Sequence, residues 1–131
     1  MIAYVDTSAA VKFLVDERES NALTRWEEQP DVVMVSSDLL VAELNRFQVR
    51  NPRIGQTDVL AVLAMIIVEP IDRRDYFAAG RLAGPHLRSL DALHLRMAQK
   101  LAVDAVVTYD IRMIDAAHSL GIPVLSPGLS S

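Results

Sequence analysis

The sequence predicts an α/β fold, a three-layer α/β/α sandwich around a central parallel sheet of about five short strands. Two observations carry that expectation. Short runs rich in Val and Ile alternate with helical stretches along the whole chain. Those runs are also continuously apolar, as in strands covered on both faces.

In order, "IAYV" (Ile2–Val5) reads as a strand and Ala9–Leu14 as a helix, which leaves Asp6 at their junction. Glu19–Glu28 reads as a second helix, and "DVVMVSS" as a strand that runs into a helix over Asp38–Arg50. Asn51 and Pro52 close that helix, because proline lacks the N–H that helical continuation needs. Thr57–Ala64 reads as helix and passes into a β-branched strand, "IIVEPI". The change near Met65 is the least determined boundary, since periodicity alone does not divide a continuous apolar run. Helices follow over Arg74–Leu82 and Ser89–Leu101, then the strand "DAVVTY", a helix over Ile111–Leu120, and a short strand "PVLS" after Gly121. No linker, repeat or low-complexity tract interrupts the series, so residues 1–131 are expected to form one domain.

With 51% hydrophobic residues, the chain has the composition of a compact globular protein and not of a disordered one. It has no cysteine, which excludes disulfides, thiolate metal sites and a cysteine nucleophile. Asp6 and Lys12 interrupt the apolar N-terminal stretch, so no signal peptide is expected. The longest apolar run, Val59–Val68, is about half of the ~20 residues that span a bilayer, and the expected location is the cytoplasm, with no membrane partner. The formal charge of −4 comes from 17 acids against 13 bases. Setting aside the four acids singled out below balances the rest, which suits a phosphate-handling enzyme whose acids are gathered at a cation site.

In open α/β sheets, ligands bind beyond the carboxyl ends of the strands. Asp6 follows the first strand and Asp110 follows "AVVTY". Glu43 lies in "LLVAELNRF" and Asp91 in "SLDALHLRMA", each embedded among apolar helical neighbours where a lone buried carboxylate is costly. Each acid also has an ordinary reading. Asp6 and Asp110 suit helix N-caps, Glu43 suits an exposed helix face, and Asp91 suits a first-turn acid. Taken together, four acids that the fold can turn toward one sheet edge would repel one another unless a cation intervened, and carboxylates with water suit Mg²⁺ or Mn²⁺.

"YVDTSAAVKFL", "SSDLLVAELNRF", "SLDALHLRMA" and "DAVVTYDIRM", in that order and spacing, resemble the motifs of PIN-domain ribonucleases, specifically the VapC toxins of bacterial toxin–antitoxin pairs. The resemblance spans nearly the whole chain. It implies a PIN-like sandwich and an Mg²⁺- or Mn²⁺-dependent endoribonuclease acting on RNA, with transfer or ribosomal RNA as the expected substrate class. It also implies a VapB-type antitoxin that holds the protein inactive, and a homodimer. By the same resemblance, Asp6, Glu43, Asp91 and Asp110 are the catalytic and metal-binding acids. Asp6, Asp91 and Asp110 would ligate or support the ion, and Glu43 would ligate it or help deprotonate the attacking water. Thr7 and Ser8 fall where the family uses a hydroxyl near the metal. Asp115 is either a further supporting acid or an exposed helix position, and Arg112 either touches the scissile phosphate or stands in solvent.

His94 follows Asp91 by three positions and is expected to pack near the site without chemistry, because hard-ion sites favour oxygen. Arg46, Arg50 and Arg53 either track an RNA backbone or complement a helix end. Trp26 and the apolar faces of the early helices are either core or a groove for the antitoxin. A phosphoacceptor signalling domain also gathers acids at strand ends, but it requires a lysine after a later strand, and Lys12 and Lys100 do not follow strands. A non-catalytic domain of the same fold that binds RNA or protein is the alternative, although such a domain typically lacks one of the acids. A DNA nuclease of related fold would need further elements to grip a duplex.

Overall fold

The computed structural model describes residues 1–129. Five strands form one parallel sheet: β1 (Ile2–Val5), β2 (Val33–Ser37), β3 (Ile67–Glu69), β4 (Ala105–Val107) and β5 (Val124–Leu125), in the spatial order β3-β2-β1-β4-β5. Around it lie α1 (Thr7–Ala10), α2 (Ser20–Glu27), α3 (Asp38–Arg50), α4 (Gln56–Ala64), α5 (Arg73–Gly80), α6 (Ser89–Lys100) and α7 (Ile111–Ser119).

Side-chain alternation along the central strands separates the two helical layers. Ala3 and Val5 of β1, Met34 of β2 and Val107 of β4 face one core with residues of α1 to α4, among them Ala9, Leu23, Leu40, Leu44 and Val59. Tyr4, Val35 and Val106 face the other, against Leu95, Met97 and Ala98 of α6 and Met113 and Ala117 of α7. Both faces of β1 and β4 are therefore buried, the physical reason their sequences are continuously apolar. Trp26 packs partly buried against the first core.

The expected elements all form, and the differences lie at their ends. The first helix begins earlier than expected, at Thr7, and after Ala10 tightens into a 3₁₀ turn over Val11–Phe13. Its start is set by Asp6, whose side chain accepts a hydrogen bond from Ala9 N. The strand expected over "IIVEPI" pairs only across Ile67–Glu69, and Pro70 follows it directly. α7 ends in a Schellman turn: Gly121 takes φ +73°, its N–H donates to His118 O at 3.0 Å, and Ile122 N donates to Ala117 O at 2.9 Å. Among the described residues, no helix is long and apolar enough to cross a membrane.

α5 is tied to α6 by Asp75, which is fully buried. Its Oδ2 accepts from Lys100 Nζ at 2.8 Å and from Asp72 N at 3.0 Å, and its Oδ1 from Arg96 Nε at 3.3 Å. Burial pushes this carboxyl up, but Lys100, the Asp72 N–H and Arg96 outweigh it, so the group ionises below its ordinary range. An acid held below its unfolded value stabilises the fold above that value, about 3.9, and ceases to do so as pH falls through the folded value. Asp75→Asn is therefore expected to lower the Tm at pH 7, with the gap to wild type closing below about pH 4. Thermal melts from pH 7 to 2 would show it, and a gap that stays constant would overturn this account.

Candidate active site

β1 and β4 are neighbours in parallel register, with Val5 opposite Val107, so the segments that follow them emerge side by side. Asp6 N donates to Val107 O at 3.2 Å, which continues the pairing one step past the strands. Hydroxyl contacts hold the two exits together. Thr108 Oγ1 donates to Asp6 Oδ2 at 2.6 Å, Ser8 Oγ donates to Asp6 Oδ1 at 2.7 Å, and Ser8 Oγ in turn accepts from Tyr109 N at 2.9 Å. Asp6 Oδ1 also accepts from Ala9 N at 3.1 Å. Asp6 is thus the N-cap of α1, and the same side chain stands at the junction of the two strand exits.

Asp6 is buried, and burial raises its carboxyl above the ordinary range. His94, Thr108, Ser8 and the Ala9 N–H pull in the other direction without overcoming it. An acid desolvated to this degree favours a positive partner.

α3 brings Glu43 to the same edge. Its Oε1 accepts from Thr7 Oγ1 at 2.6 Å and from His94 Nε2 at 2.7 Å. Burial would raise this carboxyl, but the bonds from His94 and Thr7 prevail and lower it. The two hydroxyls of the "DTS" segment therefore divide their work, Ser8 holding Asp6 and Thr7 holding Glu43.

α6 carries Asp91 in its first turn. Burial raises its carboxyl, the charge of Asp110 raises it further, and His94, Arg112 and Arg88 oppose the shift. Asp110 caps α7, its Oδ1 accepting from Arg112 N at 2.9 Å, while its own N–H donates to Thr108 Oγ1 at 3.1 Å. Two clefts open beside these acids. One, of about 250 Å³, is lined by Asp91, Arg112, Asp115 and the segment from Ala83 to Leu87. The other, of about 420 Å³, is lined by Thr7, Glu43, Arg46, Phe47 and Arg50.

The structure thus brings Asp6, Thr7, Ser8 and Glu43 into one hydrogen-bonded group with Thr108 and His94, and sets Asp91 against Asp110. Arg112 and Asp115 share a cleft with Asp91. Among the described residues, no three acidic or histidine side chains stand close enough together to form a ready ligating group. The donors nonetheless suit a hard divalent cation by their chemistry, being carboxylate oxygens whose ionisation is opposed by burial and, at Asp91, by the charge of Asp110. His94 lies near the site, as expected, but its hydrogen bond to Glu43 was not legible from the sequence, and Thr108 was not singled out there. Thr108 looked like an ordinary strand residue. His94 had only its spacing from Asp91 as a signal.

Residues 3–119 match the family model of the PIN domain. The chain belongs to that family. Within it, the chain is similar to ribonuclease VapC46 of Mycobacterium tuberculosis, 40% identical over 126 residues that cover 95% of this chain and 96% of that protein, which places it among the VapC ribonucleases. The crystal structure of VapC20 of M. tuberculosis, described as a toxin that cleaves the sarcin–ricin loop, has the same PIN fold, with a TM-score of 0.68 at 20% identity over 95% of this chain and 99% of that one. VapBC2 of Rickettsia felis, solved with a DNA fragment from its promoter, has a TM-score of 0.64 at 15% identity and covers 95% of this chain and 98% of that one. PIN-domain ribonucleases of the VapC type are generally dependent on a divalent metal.

Proposed function

We propose that this VapC-type endoribonuclease hydrolyses RNA phosphodiester bonds at the carboxylate group above β1 and β4, with Mg²⁺ or Mn²⁺ as its resident cation. The observation that supports the reading is that Asp6 and Asp110 follow the adjacent parallel strands β1 and β4, with Asp91 close enough to Asp110 for their charges to repel and Glu43 tied to the segment after β1 through Thr7. Asp6, Asp91 and Asp110 would hold the ion, with Glu43 beside them. The bound cation would supply Lewis-acid stabilisation of phosphate charge and a water acidic enough to be deprotonated near neutral pH.

The chain's own groups divide the remaining work. Ser8 and Thr108 fix both oxygens of Asp6, so that its carboxylate is preorganised. Glu43, kept ionised by Thr7 and His94, is a base within the same group. Arg46 and Arg50 in one cleft and Arg112 in the other offer cations to the RNA phosphates on either side of the acids. Transfer or ribosomal RNA is the substrate class in this proposal. A VapB-type antitoxin as the inhibitory partner and assembly as a homodimer complete it.

The experiment is incubation of antitoxin-free protein with purified transfer RNA and ribosomal RNA, with Mg²⁺, with Mn²⁺ and with a chelator. Discrete fragments are expected with either ion, and none with the chelator. Intact RNA in all three, from folded protein, would favour the non-catalytic binding-domain alternative.

A further inference from the structure

A line of polar side chains runs from the end of β2 to Glu43, and the proposed function uses only its last bond, from His94. Ser37 Oγ lies 2.9 Å from Tyr4 Oη, Tyr4 Oη lies 2.7 Å from His94 Nδ1, and His94 Nε2 lies 2.7 Å from Glu43 Oε1. Tyr4 and Ser37 are fully buried and His94 nearly so. The His94 ring meets the Tyr4 ring edge-on, with centroids 5.6 Å apart. Ordinary packing of α6 on the sheet asks only for an apolar side chain at position 94, as Leu95 and Met97 beside it show. Only an imidazole at that position supplies two polar atoms on opposite edges, one for the phenol and one for the carboxylate.

The donor directions follow from the chemistry of the ends. An ionised Glu43 accepts only, so His94 Nε2 carries the proton between them. In the neutral ring, Nδ1 accepts from the Tyr4 hydroxyl, which accepts from Ser37. In the doubly protonated ring, Nδ1–H donates to the Tyr4 oxygen, which donates to Ser37. Either way the Nε2–H points at Glu43, so the arrangement does not depend on the charge of the ring. Both donors to Glu43, Thr7 and His94, fall on Oε1.

We propose that His94 and Tyr4 are positioning residues, a buried strut anchored on the sheet that fixes the Glu43 carboxylate in a single orientation at the active site. Glutamate is long and flexible, and two short charge-assisted bonds to one oxygen remove that freedom before substrate arrives. The inference rests on the reading of Glu43 as a working acid of the site. It is the oxygen-site counterpart of the supports that orient metal ligands elsewhere.

The test compares His94→Leu, His94→Gln, Tyr4→Phe and Glu43→Gln by steady-state cleavage of transfer RNA, by Mn²⁺ affinity from electron paramagnetic resonance of the RNA-free protein, and by Tm. Gln places an amide N–H near the position of Nε2, whereas Leu keeps only the bulk. His94→Leu is expected to lose about 10- to 100-fold in kcat or in Mn²⁺ affinity with KM for RNA little changed, and His94→Gln is expected to recover much of it. Tyr4→Phe should show a smaller loss in the same parameter at near-native Tm. Wild-type kcat and Mn²⁺ affinity in folded His94→Leu would overturn the inference, as would folded His94→Gln being no better than His94→Leu. If His94→Leu does not fold, Tyr4→Phe decides: a loss at native Tm supports the strut, and unchanged kcat and Mn²⁺ affinity overturn it. Glu43→Gln separates the layers. If it is itself unimpaired, the reading of Glu43 fails, whereas an impaired Glu43→Gln beside unimpaired His94 and Tyr4 variants removes the strut alone.

Discussion

Asp6→Asn is expected to lower cleavage by about a thousandfold or more while raising the Tm of the metal-free protein. The loss follows from removing the charge at the centre of the group while leaving its shape. The gain follows from burial: Asp6 is 3% exposed, and desolvation raises its carboxyl above the ordinary range, a cost to the fold near neutral pH that His94, Thr108, Ser8 and the Ala9 N–H do not fully offset. An asparagine keeps the oxygen that caps α1 and accepts from Ser8. Its amide then faces Thr108 Oγ1, whose hydroxyl can turn to accept from it. Activity and stability are thus expected to move in opposite directions, the pattern of a site strained for function. Cleavage assays and calorimetry on the same preparation would check both, and a variant as active as wild type would remove Asp6 from the mechanism. A lower Tm would contradict the desolvation argument.

The second large effect is expected from Asp91 and Asp110. Asp91→Asn should lose cleavage on a similar scale, about a thousandfold, because this carboxylate is half-buried and repelled by Asp110, an arrangement that a cation would relieve. Asp110 has two roles that substitutions can divide. Asp110→Asn keeps an oxygen to cap α7 through Arg112 N and removes only the charge, so it should lose activity at nearly native Tm. Asp110→Ala removes the cap as well and should cost about 1 kcal/mol of stability in addition. Equal activity in Asp110→Asn and wild type would reduce Asp110 to a helix cap.

Much of this was written in the chain. The alternation of apolar runs with helical stretches specified a parallel sheet under two helical layers, and Asp6 and Asp110 could be placed after strands that prove to be neighbours. The α3 boundaries, Asp38 to Arg50, were legible because Pro52 stops the helix and an apolar strand leads into it. The boundary near Met65 was not, because the apolar run from Val59 to Val68 serves α4, then a turn, then β3, with similar side chains in each. α1 starts two residues earlier than the sequence pattern suggests, because the Asp6 side chain caps it at Thr7.

Around the candidate site, the charges can be read from the chain alone. The sequence named the acids and placed two of them after strands, since motif spacing and strand-end chemistry are properties of the chain read in one dimension. Their partners are set by the packing of the fold. Ser8 and Thr108 are 100 residues apart, yet their hydroxyls lie 3.2 Å from each other and share Asp6 between them. His94 meets Glu43 across 51 positions. No local pattern encodes such pairs, because hydrogen bonds act over about 3 Å and their distances are set by which strands lie adjacent and how helices dock on them.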